Sequence, residues 1–140
     1  MIEGTLNGKP FKAPVEPDGR GGHWFKLEKP IATAAQASAG KSVSLEFNAT
    51  KSWTKPTILP DLKAALAKAP AAQAVWQDIT PAAQWEWIRW IRSTNVAETR
   101  QRRVEVAISK MTKGMRRPCC FNRNMCTEPY VSKNWMLREA

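Results

Sequence analysis

The stretch NVAETRQRRVEVAIS, residues 95–109, places Arg100, Arg102 and Arg103 within four positions. Clustered guanidiniums grip carboxylates, phosphates or a facing helix. Helical periodicity separates them. With Arg100 at zero, Val104 falls at about 40°, Ala107 at about 340°, Ile108 at about 80° and Met111 at about 20°. Arg100 therefore heads the apolar stripe, Arg103 flanks it, and Arg102 points almost opposite, toward water. A charge on the apolar side must be paired or must snorkel outward. The expected role of Arg100 is a structural ion pair between helices, with Glu86 and Asp78 as partners. Truncating such a pair should cost roughly 2–4 kcal/mol by stranding a buried carboxylate. The competing reading is ligand or anion binding by Arg100 with Arg103, to which His23, the single histidine, could contribute.

Other chemistry-bearing residues point to bland roles. Cys119, Cys120 and Cys126 are odd in number and spaced C-C-x5-C, which matches neither a disulfide framework nor a zinc-ligand pattern. No metal and no cofactor is expected. Trp85, Trp87 and Trp90 share one short segment. They could form a base-stacking platform, but aromatics at helical spacing pack mainly into cores. DGRGGHW, residues 18–24, lacks the strand–glycine loop–helix context of a phosphate cradle and reads as a tight turn. No Ser/His/Asp, Cys/His or paired-carboxylate arrangement argues for an enzyme.

The elements that must position these residues fall into two halves. Residues 1–55 read as strand, strand, short helix, strand. Asn7-Gly8 between apolar residues signals a hairpin, ATAAQASAG a short helix ending at Gly40, and Val43, Leu45 and Phe47 one face of a strand. Residues 56–60 form a linker carrying Pro56 and Pro60. Residues 61–114 are helical, in segments near 61–68, 71–77, 81–93 and 95–113. Thr80-Pro81 marks a helix start, and Asn95 with Glu98 a capping box. Residues 115–140 look mostly irregular. The fold class is α+β.

The chain has 140 residues, is 43% apolar and carries a formal net charge of +10, with 22 Lys/Arg against 12 Asp/Glu. Such a chain is globular and not disordered. The excess is +3 over residues 1–55, +4 over 56–114 and +3 over 115–140. Spread this evenly, it raises nucleic acid as a partner without favouring it, because phosphate binding works best with clustered cations. No apolar run reaches the roughly 18 residues of a membrane span, and the N-terminus lacks a secretory signal pattern. The expected compartment is the cytoplasm.

The helical half carries a recognisable set of motifs: Pro60-Asp61-Leu62 with Ala65-Leu66, Thr80-Pro81, Trp90-Ile91, and Glu98-Thr99-Arg100 with Arg102-Arg103-Val104. Over about 57–116 it resembles the YdeI or OmpD-associated bacteriocin-protection family. Where that family has Ala-Lys after the W-I helix, this chain has Thr94-Asn95. Gly4-Thr5-Leu6-Asn7-Gly8 with Phe11, Gly21-Gly22-His23 and Gly40-Lys41-Ser42-Val43 resemble half of a small domain that commonly precedes this module, with Lys41 in place of an aspartate. The resemblance implies a double-split β-barrel half of AbrB-like shape, and a protective role without known chemistry. A half-barrel predicts a homodimer, with Phe11, Trp24, Phe25, Leu27, Val43, Leu45 and Phe47 at its interface. The alternative is a nucleic-acid-binding regulator.

Overall fold

The computed structural model of the chain describes residues 1–119 and 122–139. The chain contains both strands and helices, so the fold is mixed α+β. The chain divides into two compact units: residues 1–17 with 21–53, and residues 54–140 joined by the short segment Asp18–Arg20.

In the first unit, β1 (Ile2–Leu6) and β2 (Lys9–Ala13) form the hairpin expected at Asn7-Gly8. Asn7 and Gly8 both adopt positive φ, 48° and 76°, as a two-residue turn matched to strand twist requires. The Asn7 side chain does more than turn the chain. Its Nδ2 donates to Ala35 O at 2.9 Å, and its Oδ1 accepts from Ser44 N at 2.8 Å. The hairpin tip thus anchors the end of the following helix and the entry to the last strand. A short ribbon, β3 (Glu16–Pro17) with β4 (His23–Trp24), precedes α1 (Lys29–Ala34). That helix starts earlier than the alanine pattern suggests because Pro30 sits in its first turn; it ends at Ala35, and Gln36 turns at φ 52°.

The strand β5 (Leu45–Ala49) pairs antiparallel with β1, giving the order β2-β1-β5. Gly4 permits this pairing, since a Cβ there would lie 1.9 Å from Glu46 O. Ile2, Leu6, Phe11, Ala13 and Ala35 form a small core, with Phe25, Leu27 and Ile31 packed against it. The described strands form one three-stranded sheet and two two-stranded ribbons, with no closed barrel among them.

The second unit is built on four helices: α2 (Pro60–Ala67), α3 (Pro70–Asp78), α4 (Pro81–Arg92) and α5 (Ala97–Thr112). The first three each open on proline, whose missing N–H and fixed φ suit a first helical turn. Thr80 caps α4, its hydroxyl accepting from Ala83 N at 3.2 Å. The Asn95 capping box does not form. Thr94 Oγ1 accepts from Val96 N instead, and α5 begins two residues past Asn95.

Leu62, Leu66, Ala72, Trp76, Trp87, Ile88, Ile91, Val104, Ala107 and Met111 make the core, so the α5 stripe faces inward as its periodicity requires. Buried Gln84 is satisfied by Trp76 O at 2.8 Å. Residues 115–119 and 122–139 are mostly without regular secondary structure. A hairpin, β6 (Ser132–Lys133) and β7 (Met136–Leu137), forms there, and Cys126 and Thr127 are buried. Trp87 Nε1 donates to Arg116 O at 3.1 Å, tying this segment to the helices. No helix among the described residues is long and apolar enough to cross a membrane.

Candidate functional site

The two arginines flanking the α5 stripe serve different ends. Arg100 grips Asp61 with two parallel bonds, Nε to Oδ2 at 2.6 Å and Nη2 to Oδ1 at 2.9 Å. This fork joins α5 to the first turn of α2. The bond from Arg100 is the chief reason the Asp61 carboxyl is held below its ordinary pKa; partial burial opposes it. The Arg100 guanidinium is correspondingly raised. An ion pair between helices is therefore present, but its partner is neither Glu86 nor Asp78. Those carboxylates go to the C-terminal segment. Arg116 donates to Asp78 Oδ2 at 2.6 Å, and Glu86 is held by Arg117 and, at 3.4 Å, by Arg123. Asp61 lay one residue past a helix-starting proline, and that position was the available signal: a first-turn carboxylate at a helix N-terminus.

Arg103 lies one helical turn beyond Arg100 and pairs with no carboxylate among the described residues. Its Nη1 donates to Trp90 O at 3.0 Å and closely to Ser93 Oγ, at the C-terminal end of α4. Its guanidinium carbon sits 5.9 Å from the Trp90 ring centroid, within cation–π range. Partial burial without a counter-charge lowers its pKa. Arg102 is exposed, as its angle on the helix requires.

Around Arg103 opens a cavity of about 290 Å³, lined also by Trp90, Ser93, Asn122, Met125, Thr127 and Trp135. The far wall rests on a second arginine: Arg89 donates from Nε to Thr127 Oγ1 at 3.2 Å and from Nη2 to Met125 O at 3.3 Å. Of the lining residues, the sequence reading singled out only Arg103 and Trp90 for chemistry or stacking. Ser93, Thr127 and Trp135 carried no motif, and only folding brings them together.

The remaining candidates separate from this cavity. His23 stands exposed on β4 of the first unit, paired across the ribbon with Pro17. The tryptophans divide. Trp87 is fully buried and meets Trp90 edge to face at 6.0 Å, while Trp85 donates to Thr54 O at 2.9 Å. They form no stacked ladder. Lys110 donates to the sulfur of exposed Cys119 at 2.8 Å, Cys126 is buried, and Cys120 lies outside the described residues. Among the described residues no three His, Cys, Asp or Glu side chains gather as a metal site would require.

The chain matches no curated protein and no solved structure. One family model does match. It covers residues 55–114, from the linker before α2 to the end of α5, and so includes both Arg100 with its partner Asp61 and Arg103 with Trp90 and Ser93. This helical module matches the bacteriocin-protection, YdeI or OmpD-associated family.

Proposed function

We propose that the chain is a non-enzymatic cytosolic protein that acts by binding, in the protective role against bacteriocins or cationic antimicrobial peptides that its family's description names. In this reading it works as a homodimer, two β-rich halves together completing an AbrB-like double-split barrel. The non-enzymatic reading draws on the helical module, where Asp61, Asp78 and Glu86 are each held by arginine. A carboxylate held this way is a poor general base. A net charge of +10 opposes direct capture of a cationic peptide, so protection would run through an anionic partner.

The observation that carries the dimer is β5. Leu45, Phe47 and Ala49 lie directly opposite Leu6, Gly4 and Ile2, and so share the face on which Leu6 and Ile2 are buried. Over β5 that face is uncovered: Leu45 is 37% and Phe47 52% exposed. Thr50 N donates to Met1 O and Asn7 N to Ser44 O, so even-numbered residues of β5 turn their backbone groups toward β1. The backbone groups of Leu45, Phe47 and Ala49 are left at an open edge. A two-fold axis at Phe47 would pair β5 with its copy, setting Phe47 against Phe47 and Glu46 against Asn48, with no like charges opposed. Phe11, Phe25 and Leu27, expected at the interface, are instead engaged in the unit's own core.

Sedimentation equilibrium tests this. The expected mass is twice 15.7 kDa, with a melting midpoint that rises with protein concentration. Phe47→Glu should yield monomers. A wild-type mass of 15.7 kDa with concentration-independent melting would overturn the dimer.

A second reading is a nucleic-acid-binding regulator. It is favoured by the cationic excess and by exposed Lys63, Lys68, Arg102 and Lys113 on the helical module. Binding to nonspecific duplex DNA should then fall steeply as salt rises. No binding at low salt would remove this reading.

A further inference from the structure

We propose that the cavity beside Arg103 is a binding site for a small planar carboxylate with an aromatic body. The inference rests on the reading of the chain as a binding protein and names the ligand class.

Arg100 supplies the internal comparison. It holds the Asp61 carboxylate through its Nε and Nη2 edge. On Arg103, only Nη1 is engaged, by Trp90 O and Ser93 Oγ. The edge that grips a carboxylate on Arg100 has no partner on Arg103 among the described residues. The two Nη1 bonds and the Trp90 ring hold the guanidinium in place, so little rotamer freedom remains to be lost when a ligand docks. Partial burial leaves its charge poorly solvated, which strengthens attraction to an anion.

The walls choose the rest of the ligand. Trp90, Trp135 and Met125 offer flat and polarizable apolar surface, and Asn122 and Thr127 add polar groups, the Ser93 hydroxyl being held by Trp90 O and Arg103. At about 290 Å³ the cavity lies at the small end for ligand pockets. One unpaired guanidinium balances one negative charge, which suits a carboxylate better than a phosphate dianion.

Trp135 is fixed in the cavity wall by its turn. Asn134 at φ 52° and Trp135 at φ 63° supply the two positive φ values that the two-residue turn between β6 and β7 requires. The Trp135 carbonyl accepts from Cys126 N at 2.9 Å, and Leu137 N donates to Asp18 O at 2.7 Å, so the hairpin is clamped on both sides. A wall held in place this way loses little freedom when a ligand docks.

Benzoate is the probe, with benzamide as its neutral twin, read by isothermal titration and tryptophan fluorescence on the full chain. Benzoate should bind saturably in the millimolar range or tighter, and benzamide at least tenfold more weakly. Arg103→Gln should weaken benzoate at least tenfold. Arg100→Gln, which keeps Arg103 intact, should leave affinity unchanged. Trp135→Ala, at an exposed turn, removes a wall without touching the helical core and should weaken benzoate several-fold. Equal binding of benzoate and benzamide, unchanged affinity in Arg103→Gln or Trp135→Ala, or no saturable binding would each overturn the proposal. Displacement of benzoate by an equal concentration of inorganic phosphate would overturn the carboxylate assignment. None of these outcomes bears on the sedimentation result, so failure here and failure of the dimer are distinguishable.

Discussion

Replacing Arg100 by alanine removes both bonds to Asp61 and leaves that carboxylate without its guanidinium. How much this costs depends on how wet the pair is. The side chains are 32% and 39% exposed, so water solvates both charges once they separate. A buried pair would lose roughly 3–5 kcal/mol on truncation, whereas exposed pairs contribute about 0.2–1 kcal/mol. Bidentate geometry places this one at the upper end of the exposed range, so Arg100→Ala should destabilise by about 1 kcal/mol. That is below the cost expected for a partner buried at Glu86 or Asp78, and the difference follows from Asp61 sitting at a helix start near water.

Urea melts of wild type, Arg100→Ala, Asp61→Ala and the double variant measure it. Asp61 also accepts from Leu62 N at 2.9 Å in the first turn of α2, so its single variant loses more than the pair. The double-mutant cycle removes that extra loss and should return a coupling of about 0.5–1 kcal/mol. Acidity supplies a second check. The Asp61 carboxyl is depressed in the folded chain, chiefly by the Arg100 bond. Its contribution is therefore complete above the unfolded carboxylate pKa near 4, and is lost as pH falls through the lower folded value. The gap between wild type and Arg100→Ala should close in acid. A coupling indistinguishable from zero, or an Arg100→Ala variant as stable as Arg102→Ala, would refute the assignment.

Gly4→Ala would drive a methyl group into Glu46 O, so β5 must leave β1; a loss of about 2–3 kcal/mol is expected. Accelerated amide exchange along Leu45–Ala49 should accompany it, and wild-type stability would contradict the close approach. Thr80→Ala strips the N-cap from α4 and should cost about 1 kcal/mol in the same melts. A Thr80→Ser variant that retains wild-type stability would confirm that the hydroxyl is what matters.

What was readable from the sequence alone is what neighbouring residues decide among themselves. Pro81 opens a helix behind Thr80 because a missing N–H costs nothing in a first turn; Pro60, expected in the linker, and Pro70 open helices by the same rule. Asn7-Gly8 turns the hairpin because both positions need positive φ. The inward face of α5 follows from spacing alone, and so does the outward direction of Arg102. The family motifs sit on these same local features, which is why the resemblance over about 57–116 and the matched residues 55–114 nearly coincide.

What the tertiary structure decided is which distant residue arrives beside which. Periodicity required a partner for Arg100, but the partner is 39 residues away, on a helix whose placement depends on core packing. Glu86 was also available on paper. It faces the C-terminal segment instead, where Arg117 and Arg123 take it. The Asn95 cap failed for a related reason: Ser93 Oγ bonds Trp90 O at the end of α4, Thr94 Oγ1 takes Val96 N just before α5, and α5 begins later. Arg103 shows the division most sharply. A shift of three residues from Arg100 turns a side chain by about 300°, enough to move it from α2 to the end of α4. Local periodicity sets that angle. Whether a carboxylate or an open cavity waits at the end of it depends on a hairpin some thirty residues further on, whose position no local pattern specifies.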